Sequence, residues 1–233
     1  MSLAAPTQSY FCHISGLFNT QTLNRVRSRF VNREAAGWKP KDEQERRRVD
    51  IGAAPNDFRL DNSWYDIWND ASEAGLREFS PYSYVLLPVH IRHVVKQGHL
   101  VPWHQDAAYV ALMPKRHASV ITCFVPLELD PRAVSTLEFA CGDYSLLPHE
   151  PQDGHGAVIK AAPFAEVTRF DLSFGDALLF GDHVPHRTVP GRSGEIDRRS
   201  FEFRLTKPQD ALPGKDYFDL STRKFVQTPE IGH

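Results

Sequence analysis

Cysteine is scarce in this chain. Its 233 residues hold three, Cys12, Cys123 and Cys141, an odd number without CxxC spacing. Neither a disulfide framework nor a thiolate metal site is expected, and such usage suits a reducing, cytoplasmic setting. Long apolar runs are missing as well. No stretch approaches the roughly 18 residues that cross a bilayer. Met1 to Gln8 has neither the basic start nor the apolar centre of a secretion signal, so no membrane partner is expected. Charge of one sign is also lacking, because 27 Lys and Arg stand against 29 Asp and Glu. That balance argues against nucleic acid as a partner. The basic triplet Arg46-Arg47-Arg48 lies in a charged run from Lys39 to Asp50 with Glu43 and Glu45 beside it, and reads as a solvated loop or helix face. Repeats and low-complexity segments are absent.

What is there suits one domain spanning 1–233, with a sizeable core. A short apolar run from Tyr10 to Phe18 predicts an opening strand. Asn19 or Thr20 can cap a helix whose apolar face is Leu23, Val26, Phe30 and Val31, ended by Gly37 and Pro40. Trp64, Trp68, Ala71, Leu76 and Phe79 predict a second amphipathic helix over about 62–79. Its tryptophan pair is expected to pack on a sheet, not to line a ligand box. After Pro81 the period changes to that of strands. Tyr82–Val95, Ala118–Leu129, Ser135–Ala140, Ala157–Ala161, Glu166–Leu172, Ala177–Phe180 and Arg199–Thr206 form a series of short candidates. No helix between them is long enough for repeated βαβ units. The expected fold is mainly β with flanking α-helices, a barrel or jelly roll over about 82–206 behind N-terminal helices at about 19–80. The remaining residues, 207–233, read as a wrapping or loosely ordered extension.

Chemistry concentrates in Trp103-His104-Gln105-Asp106. His104 and Asp106 are two apart, so on a strand or strand end both project from one face. A third ligand must come from elsewhere, and His186 is the candidate. Two histidines and one carboxylate with open positions form the facial triad of non-haem Fe(II) oxygenases. His-x-Asp alone is a weak signal. Further on, Arg198 and Arg199 lie 12 and 13 residues beyond His186, where a guanidinium on the next strand can hold a carboxylate in bidentate fashion.

Taken together, Trp103–Tyr109, Thr122–Leu129, Thr136–Gly142, Phe174–Phe180 and His186-Arg187-Thr188 through Arg198 resemble the phytanoyl-CoA dioxygenase (PhyH-like) family of Fe(II)/2-oxoglutarate-dependent oxygenases. The resemblance covers roughly half of the chain. It implies a double-stranded β-helix (jelly roll, cupin-like) with the metal at its open mouth. By position, His104, Asp106 and His186 resemble the iron ligands. Arg198 resembles the clamp on the distal carboxylate of 2-oxoglutarate, and Thr188 an assisting hydroxyl. Fe(II), 2-oxoglutarate and O2 are the implied cofactor and co-substrates. The implied reaction oxidises a C–H bond, usually by hydroxylation, with release of succinate and CO2. Halogenating relatives lack the carboxylate ligand, whereas Asp106 is kept here. In place of the family's Pro-Gly-Ser-His stands Ala140-Cys141-Gly142-Asp143-Tyr144, so the substrate does not carry over.

Alternatives stay open at this point. With Arg198 inward, Ser200, Glu202 and Arg204 share its face and Phe201, Phe203 and Leu205 meet the helices. With Arg199 inward the assignment reverses. His183 competes with His186 as the distal ligand. His90, His149 and His155 read as core or structural histidines; His93 and His99 lie near enough to the motif to line a pocket. Tyr109 and Phe124 can face the cavity, though barrel aromatics are core by default. The compact section between the motifs favours a small-molecule substrate such as an amino acid or natural-product intermediate. A peptide hydroxylase, a Zn hydrolase and a non-catalytic binding barrel are the competing readings.

Overall fold

The computed structural model describes residues 10–37, 56–59, 62–87, 89–95, 97, 100–110, 120–152, 156–159 and 164–229. The charged run with Arg46–Arg48, and also His99 and His155, lie outside the described residues.

β1 (Phe11–Ile14) ends at a turn where Gly16 takes φ +60, a conformation that L side chains rarely adopt. Asn19 then caps α1 (Thr20–Ala35), its side-chain oxygen accepting from the Thr22 amide at 2.8 Å. Leu23, Val26 and Phe30 form the buried stripe, and Gly37 at φ +82 follows the last turn.

The helix predicted over 62–79 is broken in two. A 3-10 helix covers Asn62–Asp70, and α2 begins only at Glu73–Glu78. The break has a tertiary cause. Ala71 bridges to Phe18, and the Ser72 amide donates to the Leu17 carbonyl at 2.8 Å. The Ser72 hydroxyl then caps α2 by accepting from Gly75 at 3.0 Å. Trp64, Ile67, Trp68 and Phe79 are nonetheless buried, as the apolar spacing predicts.

The strand predicted over 82–95 is likewise two strands, β3 (Tyr84–Leu86) and β4 (His90–Val94), flanking Pro88, which has no amide to donate to a ladder. β2 (Asn56–Arg59) pairs with β4. After α3 (Asp106–Val110) come β5 (Val120–Pro126), β6 (Thr136–Ala140), β7 (His149–Gln152), β8 (Gly156–Ile159), β9 (Val167–Arg169), β10 (Ala177–Gly181), β11 (His186–Val189) and β12 (Arg198–Thr206). The tail, read from sequence as a wrapping or loosely ordered extension, forms a hairpin. β13 (Asp216–Asp219) and β14 (Lys224–Gln227) pair with each other, and β13 also pairs with β3. Tyr217 and Phe218 are buried by this docking, and Asp219 closes the turn by accepting from the Ser221 and Thr222 hydroxyls.

All pairings are antiparallel. One nine-stranded sheet runs β1-β10-β5-β12-β3-β13-β14, with β4 also on β12 and β2 on β4; β11-β6-β9 and β7-β8 form two smaller sheets. This is the expected mainly-β jelly roll with helices on one side. β12 is the spine of the large sheet, and its alternation sorts the interior. Phe201, Phe203 and Leu205 join Trp64, Trp68 and Phe30 in the helix-side core. The Trp68 and Phe203 rings meet edge to face at 4.5 Å. Arg198, Ser200, Glu202 and Arg204 therefore face the cavity side, where Phe124, Phe139 and Phe180 form the second core. Arg199 points to the helices and pairs with Glu34 (3.3 Å) and Glu128 (3.2 Å).

Candidate metal centre

His104 is followed at once by a change of backbone. It makes an isolated antiparallel bridge with His186, each amide donating to the other's carbonyl at 3.0 and 2.9 Å. Asp106 is then the first residue of α3, and its backbone neighbour Ala107 donates to the Asp182 carbonyl. The two side chains thus converge through a bridge-to-helix corner, not through the two-residue period of one strand. Their nearest approach is 3.9 Å, from His104 Nε2 to Asp106 Oδ1. Ligand atoms of His104, Asp106 and His186 all lie within 4.8 Å of one another, and all three residues are buried. His183 is not part of this cluster; its Nδ1 faces Asp182 Oδ1 at 2.9 Å.

Hydrogen bonding aims the imidazoles. His104 Nδ1 lies 2.8 Å from the Pro102 carbonyl, and His186 Nδ1 lies 2.9 Å from that of Val184. A carbonyl only accepts, so each Nδ1 carries the proton and each Nε2 presents a lone pair to the cluster. Such backbone anchoring fixes tautomer and ring orientation in metal-binding histidines. Asp106 Oδ2 accepts from the Thr122 hydroxyl at 2.5 Å, and both its oxygens lie 3.5 Å from Arg204 Nη2. Two neutral imidazole nitrogens and one anionic oxygen, buried and pointing at one spot, fit a divalent transition metal.

Electrostatics agree with that protonation. Burial, reinforced by the neighbouring His186, pulls the His104 pKa down to about 3; burial also lowers that of His186. Burial alone raises the Asp106 pKa, yet Arg204, the two histidines and the Thr122 hydrogen bond together drive it well below the ordinary carboxylate value. Both shifts have one sign for stability. Between about pH 3 and 6.5 the unfolded chain takes up a proton at His104 that the folded chain refuses. Below the ordinary aspartate pKa the same holds for Asp106. Metal-free protein is therefore expected to lose stability progressively as pH falls from 6.5 towards 3. Urea midpoints across that range check this, and a midpoint that rises on acidification would contradict the assigned protonation states.

Gln105 is wholly buried between the two candidate ligands. Its Nε2 donates to the Ser145 and His183 carbonyls at 2.9 and 2.6 Å, and its Oε1 accepts from the Leu147 amide at 2.8 Å. Its own amide donates to His149 Nε2 at 3.1 Å. One side chain thus ties the His104–Asp106 corner to the 144–149 loop and to the turn before His186. Sequence reading singled out its neighbours and missed it. Its place between the two candidate ligands His104 and Asp106 was the available signal. His149, read as structural, is the acceptor in this network. His93, considered for the pocket, lies on the helix side between Glu34 (2.6 Å) and Asp197 (2.8 Å).

Arg198 is 1% exposed, with its guanidinium 4.9 Å over the Phe124 ring. Its Nη1 lies 3.5 Å from the Ser135 carbonyl and its Nη2 4.0 Å from Glu202 Oε1. Thr188 is buried on β11, opposite Leu137. Phe124 faces the cavity side, and the Tyr109 side chain lies outside the described residues.

No family model and no curated protein matches the chain. Solved structures do. The non-haem α-ketoglutarate-dependent epimerase SnoN of nogalamycin biosynthesis aligns with TM-score 0.60 and 13% identity, over 90% of this chain and 81% of its own. EvdO2 from Micromonospora carbonacea var. aurantiaca aligns at 0.62 and 14%, covering 86% and 87%. The non-haem monooxygenase ThoJ aligns at 0.62 and 15%, covering 96% and 84%. At such identities the likeness is one of fold. The chain shares the jelly roll of these proteins over most of its length. Among the described residues, no helix is long and apolar enough to cross a membrane.

Proposed function

We propose that this chain is a non-haem Fe(II)/2-oxoglutarate-dependent oxygenase acting on a small molecule, in line with the resemblance to the phytanoyl-CoA dioxygenase family. The observation that carries this reading is the buried His104–Asp106–His186 cluster, with both Nε2 lone pairs aimed inward. EvdO2 has been solved with 2-oxoglutarate, and SnoN with Fe3+ and α-ketoglutarate, on the same fold. A Zn hydrolase would use similar ligands but has no need of a buried guanidinium on the cavity face of the next strand. The epimerase SnoN and the carbocyclase SnoK, both of nogalamycin biosynthesis, align at TM-scores of 0.60 and 0.57, which supports a small molecule; a prolyl hydroxylase solved with a peptide fragment aligns at 0.54, and a peptide is the second reading.

In this reading His104, Asp106 and His186 hold Fe(II). When bound, the ion supplies the redox chemistry by which O2 and 2-oxoglutarate oxidise a substrate C–H bond, giving succinate and CO2. The protein's part is positional. Pro102 and Val184 keep both imidazoles in the ligating tautomer, Thr122 fixes the Asp106 carboxylate, and Gln105 holds the corner that carries two of the three ligands. Arg198, buried against Phe124, receives the distal carboxylate of 2-oxoglutarate, assisted by the Thr188 hydroxyl. The surrounding phenylalanines exclude water.

Anaerobic addition of Fe(II) and then 2-oxoglutarate tests this, because their chelate gives a visible charge-transfer band. Arg198→Ala is expected to raise the 2-oxoglutarate dissociation constant about tenfold or more, the usual worth of a charge-assisted hydrogen bond. Arg199→Ala, whose guanidinium serves Glu34 and Glu128, is expected to leave it within about twofold. The reverse outcome would overturn the clamp assignment, and absence of the band in the wild type would overturn the oxygenase reading.

A further inference from the structure

Arg204 is a cation on the cavity face to which the reading above gives no part. It sits six residues beyond Arg198 on β12, about 20 Å along an extended strand. Its side chain is 32% exposed, unlike Arg198 at 1%. Among the described residues its polar contacts are two long ones, 3.5 Å to each oxygen of Asp106. Thr122, its cross-strand neighbour, already spends its hydroxyl on Asp106.

Glu202, also on the cavity face of β12, is matched by Arg92 at 3.3 Å and Arg198 at 4.0 Å. Arg204 has Asp106 as its counter-charge among the described residues, and ligation of a metal by Asp106 would draw on it. A poorly solvated site disfavours a charge left unmatched.

We propose that Arg204 is a specificity residue, and that the primary substrate carries an anionic group, a carboxylate or a phosphate or sulfonate of like charge, which its guanidinium receives beside the metal. This rests on the oxygenase reading above and narrows its substrate class to anions. A guanidinium suits such a group because its forked donors engage two oxygens at once.

The test uses wild-type protein loaded with Mn(II), as a redox-silent stand-in for iron, and saturated with 2-oxoglutarate. Pivalate and its neutral amide, pivalamide, are the probes, and Mn(II)-induced relaxation of their methyl protons reports binding next to the metal. Pivalate is expected to bind about tenfold more tightly than pivalamide, one charge-assisted contact's worth. In Arg204→Gln that preference is expected to vanish, in Arg204→Lys to survive in part, and in both the affinity for 2-oxoglutarate is expected to stay within about twofold. Melting curves check that both variants fold. Equal binding of the two probes to the wild type, or an unchanged preference in Arg204→Gln, would overturn the proposal. So would a tenfold loss of 2-oxoglutarate affinity in Arg204→Gln, since the anion served would then be the co-substrate's own carboxylate. A wild type that binds neither Mn(II) nor 2-oxoglutarate would bring down the oxygenase reading itself, a separate and recognisable result.

Discussion

Alanine at His104 is expected to cost the protein at least a hundredfold in divalent-metal affinity and all measurable turnover, while leaving it folded. Loss of an outer partner of a metal ligand already costs roughly 10- to 100-fold, and His104 is proposed as a ligand itself. Stability should move the other way. The buried imidazoles of His104 and His186 sit with ring centroids 4.2 Å apart; burial disfavours the charged form of each, reinforced at His104 by the neighbouring His186. The folded state gains little from holding them there, as is common where function and stability pull apart. In metal-free buffer at acid pH, well below 6.5, His104→Ala is therefore expected to melt at or above the wild-type temperature. Asp106→Ala is expected to lose metal too, but to lose about 1–3 kcal/mol of stability, because the Thr122 hydroxyl and the Arg204 guanidinium then lose their acceptor. Titration with Fe(II) under anaerobic conditions and a melt of each apo-protein separate the two effects. Full metal affinity in either variant would sink the assignment.

The largest loss of stability is expected from Trp68→Ala. Trp68 is fully buried. Its ring meets Phe203 at 4.5 Å, Phe18 at 5.5 Å and Phe201 at 6.4 Å, and its carbonyl accepts from the Arg223 guanidinium at the β13–β14 turn. Truncating an aromatic in such a place costs about 3–5 kcal/mol, because the site does not collapse around the void. In a protein of this size that lowers the melting temperature by roughly 6–20 °C. A urea midpoint within about 1 kcal/mol of the wild type would mean that the helix-side core is looser than its packing implies. Since Phe201 and Phe203 alternate on β12 with Ser200, Glu202 and Arg204, this variant is also expected to loosen the cavity row from behind.

Much of this was legible in the sequence because it depends on local pattern. The strand-rich half after Pro81 and the buried tryptophan pair follow from period and burial along single elements, whereas alternation allowed two registers on β12, and the structure takes the one with Arg198 inward and Arg199 on the helices. The breaks were not legible, because their causes lie far along the chain. Leu17 claims the Ser72 amide and Phe18 bridges Ala71, so a helix that its own spacing supports stops at Asp70. The tail hairpin was missed for a similar reason. Only the free edge of β3 makes a strand of Asp216–Asp219, and no local signal announces that edge. At the candidate site, the spacing of His104 and Asp106 brought them together for a reason other than the one inferred, a corner rather than a strand. Arg204 was placed on the right face by alternation, but its approach to Asp106 depends on how α3 lies against β12, which residue types do not encode.

The paired backbone hydrogen bonds between His104 and His186 also bear on how this protein can change. They bring residues 82 positions apart, by their numbers, to a single rung, so the spacing of the two imidazoles is a property of main-chain geometry. Connections between those positions can lengthen at small entropic cost without shifting either ring. Loops around the candidate metal centre are thus free to be remodelled, while the centre itself stays in register.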